Sequence, residues 1–382
     1  MSEWKKCKIG DLVTLRQGFA INAKSKHYVS KEPTSLALLR IADMKSGTRE
    51  VFMREDIPLN FIARPEDIVY TRTGNVGLVF KGNYGVVHNN CFTVTPNEES
   101  VLSREFLFYL LQSKDFYDRA NSLARGAAQP DLPHTLFNSI EVQFPPYESQ
   151  HRIASILSRY DSLIENYQKQ IKLLEEAAQR LYKEWFVDLH FPGHENTKIV
   201  DGVPEGWEKK PVDSIYSIKY GKNLSTKLIS ESGDFPVYGA NGVIGYYDKA
   251  NCNEQVVLIT SRGNGSGDVL MTYHKDTFIT NNSFIVSPLE DYSYCQLPFT
   301  YQFLKNANFR AVRTGAAQPQ LTNQSIHTVD VVLPTQKLIS AYCKKSIYNN
   351  ESIIYLKNQI RLLTEARDRL LPKLMSGEIK VS

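Results

Sequence analysis

Residues 150–186 read QHRIASILSRYDSLIENYQKQIKLLEEAAQRLYKEWF. Within them Leu157, Ile164, Ile171, Ala178 and Trp185 recur every seventh residue, and Tyr160, Tyr167, Leu174 and Leu181 do so on an interleaved register. Apolar a and d positions sustained over successive heptads specify a long helix whose stripe needs a partner helix. A core helix of an ordinary domain would account for one such stripe. The stripe returns, however, as Ile353, Leu356, Ile360, Leu363, Leu370 and Leu374. Gln359-Ile360-Arg361-Leu362-Leu363 matches Gln170-Ile171-Lys172-Leu173-Leu174 at an offset of 189 residues. Ser346, Asn349 and Arg367 fall on a or d positions of this second stripe, where polar side chains cost stability and fix register.

The repeat extends beyond the helices. Trp4 through Gly18 lines up with Trp207 through Gly221, and Ile68-Val69-Tyr70-Thr71-Arg72-Thr73-Gly74-Asn75 resembles Leu258-Ile259-Thr260-Ser261-Arg262-Gly263-Asn264. His88-Asn89-Asn90-Cys91-Phe92 resembles Thr280-Asn281-Asn282-Ser283-Phe284, and Gly126-Ala127-Ala128-Gln129-Pro130 returns unchanged as Gly315-Ala316-Ala317-Gln318-Pro319. One unit is written twice. The expected layout is a globe (1–148), a long helix (149–189), a Pro- and Gly-bearing linker (190–206), a second globe (207–335) and a second long helix with its tail (336–382).

Each globe reads as mixed α and β. In the first, residues 36–41, 67–70, 77–80, 92–95 and 140–144 alternate or run apolar between turn residues, as strands do, and Ser103 is a helix N-cap. In the second, strands are expected at 256–260, 268–273, 284–287 and 328–333, with a helix near 302–310.

At 382 residues, 42% hydrophobic and 23% charged, the chain has the composition of a globular protein. It shows no apolar run of membrane-spanning length and no apolar signal core after Met1, so a cytoplasmic location is expected. The five cysteines are scattered, which fits reduced thiols and argues against a disulfide framework or zinc ribbon. The net charge is only +4, and neither globe is basic overall. A nucleic-acid partner would therefore have to receive many of its phosphate contacts from other subunits.

Enzyme signals fail on inspection. Gly263-Asn264-Gly265-Ser266-Gly267 follows a strand but lacks the Gly-Lys-Ser/Thr of a phosphate loop and leads into another strand. Phe144-Pro145-Pro146-Tyr147 has the shape of an amino-methyltransferase box, but Phe144 has no oxygen to hold an exocyclic amine. The Glu-x-Lys spacings at Glu3 and Glu208 lack an acidic partner, and His190 and His194 flank Pro192-Gly193, so they cannot share a helix face as metal ligands.

What remains is polar recognition chemistry. Arg72 with Asn75, and Arg262 with Asn264, lie in glycine-containing turns after strands. Asn89-Asn90 and Asn281-Asn282 lie just before strands, and Asn241 lies in the turn-rich run 238–242. Arg pairs with guanine O6 and N7, and Asn or Gln with adenine N6 and N7, so such loops suit base-edge readout. The alternative is that these Asn side chains tolerate left-handed backbone or cap strand ends. Gln129 and Gln318 are candidates for a nucleic-acid or partner contact, or else mark a small-residue crossing from helix to strand.

Together these marks, with Tyr238-Gly239-Ala240-Asn241-Gly242 and the carboxy-terminal Leu370-Leu371-Pro372-Lys373-Leu374-Met375-Ser376-Gly377-Glu378-Ile379, resemble the DNA specificity subunit of type I restriction-modification systems along essentially the whole chain. The resemblance implies two target-recognition domains separated by two long antiparallel coiled-coil helices, an α+β fold with a pseudo-twofold internal repeat. Each domain would read one half of a split, asymmetric site on double-stranded DNA. The helices would act as spacer and as docking surface for two DNA adenine methyltransferase subunits, alongside ATP-dependent translocase subunits. No cofactor is expected on this chain; S-adenosylmethionine, ATP and Mg would belong to the partners. A helix of roughly 37 residues measures about 55 Å, which suits half-sites about one DNA turn apart. An enzyme with an unrecognised site and a protein-only coiled-coil scaffold are the alternatives.

Overall fold

Ser103 and Ser113 show how local sequence sets the first globe. Each hydroxyl accepts a backbone N–H three residues on, from Phe106 and Phe116, and so caps the helices Arg104–Gln112 and Lys114–Leu123. The computed structural model describes residues 4–315 and 318–381. It divides into two compact units, Met1–Leu163 with Leu363–Ser382, and Ile164–Leu362.

In the first unit a four-stranded antiparallel sheet runs in the order Val13–Gln17, Cys91–Pro96, Ile68–Thr71, Val79–Phe80. The two capped helices bury Phe106, Leu107 and Phe116 with Tyr70 and Phe92 from the sheet and Phe137 from the short helix His134–Asn138. The Tyr70 and Phe92 rings stack at 5.4 Å and meet Phe137 edge-on, an arrangement that fixes ring placement beyond plain apolar burial. Around the sheet, short strands form a five-stranded layer, with Leu36–Leu39 parallel to Gly85–Val87. Lys5–Lys8 pairs antiparallel with Glu141–Phe144, so the globe's first and last strands meet.

The second unit repeats the plan. Tyr216–Tyr220, Ser283–Pro288, Val257–Thr260 and Val269–Met271 form the equivalent four-stranded sheet, and Glu208–Pro211 pairs with Asp330–Leu333. Its outer layer has three strands, Gly242–Tyr247, Phe235–Gly239 and Phe278–Ile279. The repeat is therefore close in the inner sheet and loose in the outer one. The helix expected near 302–310 lies at Leu297–Lys305, because Gln296 is the N-cap and Pro298 occupies the first turn, which tolerates a missing N–H; a short 3-10 turn Phe309–Val312 follows.

The two glycines that end the aligned amino-terminal segments do the same job. A Cβ on Gly18 would sit 2.2 Å from the His88 carbonyl oxygen, and one on Gly221 would sit 2.3 Å from that of Thr280. Only glycine allows this backbone approach, which places Asn89 and Asn281 directly beside the end of the first sheet strand.

The long helices run Tyr147–Tyr182, with a π-helical turn Lys183–Val187, and Gln336–Met375. The expected stripe is the covered one: Leu157, Ile171, Trp185, Ile353, Leu356 and Leu374 are buried, and Tyr160, Ile164, Tyr167, Leu174, Leu181, Ile360, Leu363 and Leu370 half-buried. Within the second unit Ile171, Ile353 and Leu356 form a seam with Tyr167, Leu174 and Ile360, while Leu181 joins that globe's core. Within the first, Leu157 and Leu374 enter the core with Phe106, and Leu370 packs against it. Within the second unit the partner number falls as the first helix advances, from Glu175 with Lys357 to Ala178 with Tyr342, so the segments there pair antiparallel.

Candidate nucleic-acid interface

In the first unit the predicted residues gather into one loop cluster held by backbone bonds. The N–H groups of Arg72 and Thr73 donate to the Asn90 carbonyl at 2.8 and 3.2 Å, that of Gly74 donates to Pro130 at 2.8 Å, and that of Leu132 to Arg72 at 2.9 Å. Arg125 and Asp131 exchange two backbone bonds of 2.8 Å, closing the loop Gly126-Ala127-Ala128-Gln129-Pro130. The turn bearing Arg72 and Asn75, the Asn89-Asn90 pair and Gln129 are thus neighbours.

The second unit has the same frame. Ser261 donates to the Asn282 carbonyl at 2.8 Å, Gly263 to Pro319 at 2.9 Å, Leu321 to Ser261 at 2.8 Å, and Thr314 exchanges two bonds of 2.9 Å with Gln320. Asn264, Asn281, Asn282 and Gln318 occupy the matching places. Asn241 joins them from the hairpin Phe235–Gly239 and Gly242–Tyr247. Its Oδ1 lies 3.0 Å from where a Cβ on Gly265 would be, and Thr260 donates to the Ala240 carbonyl at 2.6 Å.

These bonds correct the sequence alignment at one point. Arg72 corresponds to Ser261, and Arg262 corresponds to Thr73, because it is Ser261 that takes Arg72's place in the ladder to Asn282 and Leu321. The two arginines are not equivalent in chemistry either. The Arg72 guanidinium donates to Asp131 through Nε and Nη2 at 3.1 and 2.7 Å and to Gln17 through Nη1 at 3.1 Å, while Thr73 donates to the same Asp131 at 2.5 Å. Burial pushes the Asp131 carboxyl up, but the hydrogen bonds from Arg72 and Thr73 outweigh it and hold the group below its ordinary value. The Arg72 guanidinium therefore braces the loops, with Nε, Nη1 and Nη2 each engaged within the cluster. Arg262 is exposed, with Gln320 where Asp131 stands in the other unit.

One alternative for the asparagines falls away. Among the described residues the only non-glycine residues with positive φ are Leu189 and Asp201, so none of the candidate asparagines is there to tolerate left-handed backbone. The main chains of Asn89, Asn90, Asn281 and Asn282 serve the scaffold; among the described residues their carboxamides have no hydrogen-bonding partner. The loop 126–130 is no crossing between helix and strand: Gly126, Ala127, Ala128 and Gln129 form an exposed tip. Of its second copy, Ala316 and Ala317 lie outside the described residues, and Gln318 is exposed.

Sequence reasoning missed Thr73, Asp131 and Gln17 in the first unit and Arg310 and Arg313 in the second. Arg310 pairs with Asp268 at 2.5 Å, and Arg313 donates to the Asn264 carbonyl at 3.4 Å. A comparison of the two copies position by position would have pointed to Asp131 against Gln320, directly after the shared Pro-containing loop.

The family pattern described as "Type I restriction modification DNA specificity domain" matches residues 1–176 and again residues 204–362. The chain belongs to this family. Among its relatives in this family, the Type I restriction enzyme MjaIX specificity subunit of Methanocaldococcus jannaschii is 25% identical, over 99% of this chain and 94% of its own. The HindI specificity subunit of Haemophilus influenzae is 22% identical, over 99% of this chain and 100% of its own. A crystal structure of the S subunit of a type I restriction-modification system from M. genitalium shares the fold, with a TM-score of 0.61 at 21% identity, covering 98% of this chain and 96% of that one. No described helix of this specificity-family chain is long and apolar enough to cross a membrane.

Proposed function

We propose that this chain is the non-catalytic recognition subunit of a cytoplasmic type I restriction-modification complex, and that its two loop clusters each read one half of a bipartite, asymmetric site on double-stranded DNA. The observation that carries the reading is one backbone frame with different side chains on it. Arg72, Thr73 and Asp131 in the first cluster stand where Ser261, Arg262 and Gln320 stand in the second. A shared frame docks both clusters in the same way, while the side chains it carries differ: Arg72, Thr73 and Asp131 brace one another in the first, which leaves the carboxamides of Asn89 and Asn90 to face bases, and Arg262 is exposed in the second.

The paired helices serve as spacer and as docking surface for two DNA adenine methyltransferase subunits, with ATP-dependent translocase subunits joining the complex. S-adenosylmethionine, ATP and Mg belong to those partners. On the second unit's helices Leu173, Tyr348 and Tyr355 are 64%, 73% and 62% exposed. They line a groove of about 580 Å³, and exposed apolar patches of this kind mark partner surfaces. Phe144 is buried in the first core, where it contributes packing and no polar atom, in keeping with catalysis residing elsewhere.

The test is to map methylated adenines in the host genome with and without this gene. The reading expects one motif of two unlike halves around a sequence-tolerant gap; a contiguous motif, or no change, sinks it.

A further inference from the structure

We infer that the loop Gly126-Ala127-Ala128-Gln129-Pro130 and its copy Gly315-Ala316-Ala317-Gln318-Pro319 are sequence-independent clamps that grip the DNA sugar-phosphate backbone. The inference rests on the proposed reading and adds a division of labour within each cluster. The loops are the same in all five residues, while the positions stitched to them differ: Arg72 against Ser261, Thr73 against Arg262, Asp131 against Gln320, Gln17 against Tyr220. An identical element cannot supply the difference between two half-sites. It suits a feature that every DNA sequence presents.

The construction fits that use. Each loop is closed by a pair of backbone bonds, Arg125 with Asp131 and Thr314 with Gln320, and tied to the neighbouring turn through the Pro130 or Pro319 carbonyl. Gly126 and Gly315 have φ of 97° and 84°, and a Cβ there would lie 2.8 and 2.7 Å from the carbonyl oxygens of Gln129 and Gln318. The buried side chains of Leu132 and Leu321 anchor the following residues. In the first loop these ties hold both ends of the tip in place, which lowers the ordering cost of a contact. Gln129 and Gln318 are exposed, and among the described residues their carboxamides have no hydrogen-bonding partner. The small residues between let a phosphate approach closely, and glutamine side chains and backbone N–H groups are ordinary phosphate donors. Arg125 and Arg313 supply positive charge one and two residues before the loops. Protein-docking hot spots are enriched in Trp, Tyr and Arg, and the five loop residues include none of them.

The test uses the full chain assembled with its methyltransferase subunits. Three variants, Gln129→Ala, Gln318→Ala and Ala127→Glu, are titrated against a duplex carrying the mapped site and against duplexes with either half scrambled. Melting temperatures verify folding. Each glutamine variant is expected to weaken binding to all duplexes by about tenfold, as loss of a hydrogen bond to a charged group does, with the preference for the mapped site unchanged. Ala127→Glu should weaken all of them further, because its carboxylate repels phosphate. Loss confined to one half-site would overturn the inference in favour of base reading. Unchanged DNA binding would overturn it too, and with poorer methyltransferase co-purification would assign the loops to the protein partner. If the unaltered complex binds no duplex selectively, the recognition reading itself fails.

Discussion

The Arg367 guanidinium donates to the Asp161 carboxylate at 2.7 Å, and the Tyr109 hydroxyl donates to the other oxygen of that carboxylate at 2.6 Å. One acidic residue of the first long helix therefore binds both the second helix and the globe. Of the three polar residues on the second stripe, this is the one that reaches across. Ser346 turns back on its own helix, donating to the Tyr342 carbonyl at 2.9 Å. Replacing Arg367 with Met is expected to cost about 1–2 kcal/mol, since Asp161 stays partly buried with only Tyr109 as partner. Asn349→Leu should change stability by less than about 0.5 kcal/mol, because among the described residues the Asn349 side chain has no partner. Denaturant unfolding of the full chain distinguishes the two; equal effects would refute a register role for Arg367.

Arg72 and Arg262 should separate in the same manner. Arg72→Ala leaves Asp131 with Thr73 alone and loosens the loop cluster, so about 1–2 kcal/mol of stability and binding to the first half-site should fall together. Arg262→Ala should leave the melting temperature in place and weaken only binding to duplexes with an intact second half-site, by about tenfold or more. Competition binding with half-scrambled duplexes, alongside thermal melting, checks both.

His88 gives the first cluster one source of pH dependence. Its Nδ1 accepts the Asn90 N–H at 3.2 Å, which requires the neutral ring. Burial, with Arg40 nearby, holds the imidazole below its ordinary value. A depressed histidine contributes stability that is complete above the unfolded value near 6.5 and is lost as pH falls through the lower folded value. Selectivity for the first half-site should therefore decline as pH falls below the ordinary histidine value, with His134, depressed by burial beside Arg72 and Asp131, contributing in the same direction. Thr280 occupies the matching place, so His88→Thr should remove the His88 part of the first half-site's pH profile and leave the part that His134→Gln removes; a profile unchanged by His88→Thr would refute the role of His88.

Gly18→Ala and Gly221→Ala drive a methyl into a carbonyl at 2.2 and 2.3 Å. Each is expected to cost about 2–3 kcal/mol, the upper range for overpacking, and to expose the amides of residues 88–91 or 280–283 to hydrogen exchange. Protection at those amides equal to that of the unaltered chain would contradict the close approach.

Tyr355→Ala and Leu173→Ala should leave melting and helicity intact and reduce methyltransferase association. These side chains are largely exposed, so the loss would be one of contact area with a partner and not of core packing. Analytical ultracentrifugation of the mixed subunits measures it.

Heptads and repeats were legible in the sequence because they rest on spacing. The seam from Leu157 to Leu370 lies where the periodicity places it. Of the outer layer of the first globe, Leu36–Leu39 was legible within the expected strand 36–41, but strands such as Val29–Ser30 and Ile62–Ala63 have two residues each and no period to detect. The locations of Arg72 and Arg262 were legible, but their roles were not. Arg72's partner Asp131 lies 59 residues away, and the one-residue offset between the arginines appears only in the backbone bonds.

Each globe opens and closes with strands that pair with one another, Lys5–Lys8 with Glu141–Phe144 and Glu208–Pro211 with Asp330–Leu333. The entry and exit of the chain are thus adjacent, and the globe completes its own sheet before the helix begins. A globe closed in this way places few demands on the chain that flanks it, because its two edge strands satisfy each other. Replacing residues 5–144 by the corresponding segment of another chain, edge strands included, is expected to leave the helical segments folded, which circular dichroism and thermal melting would check.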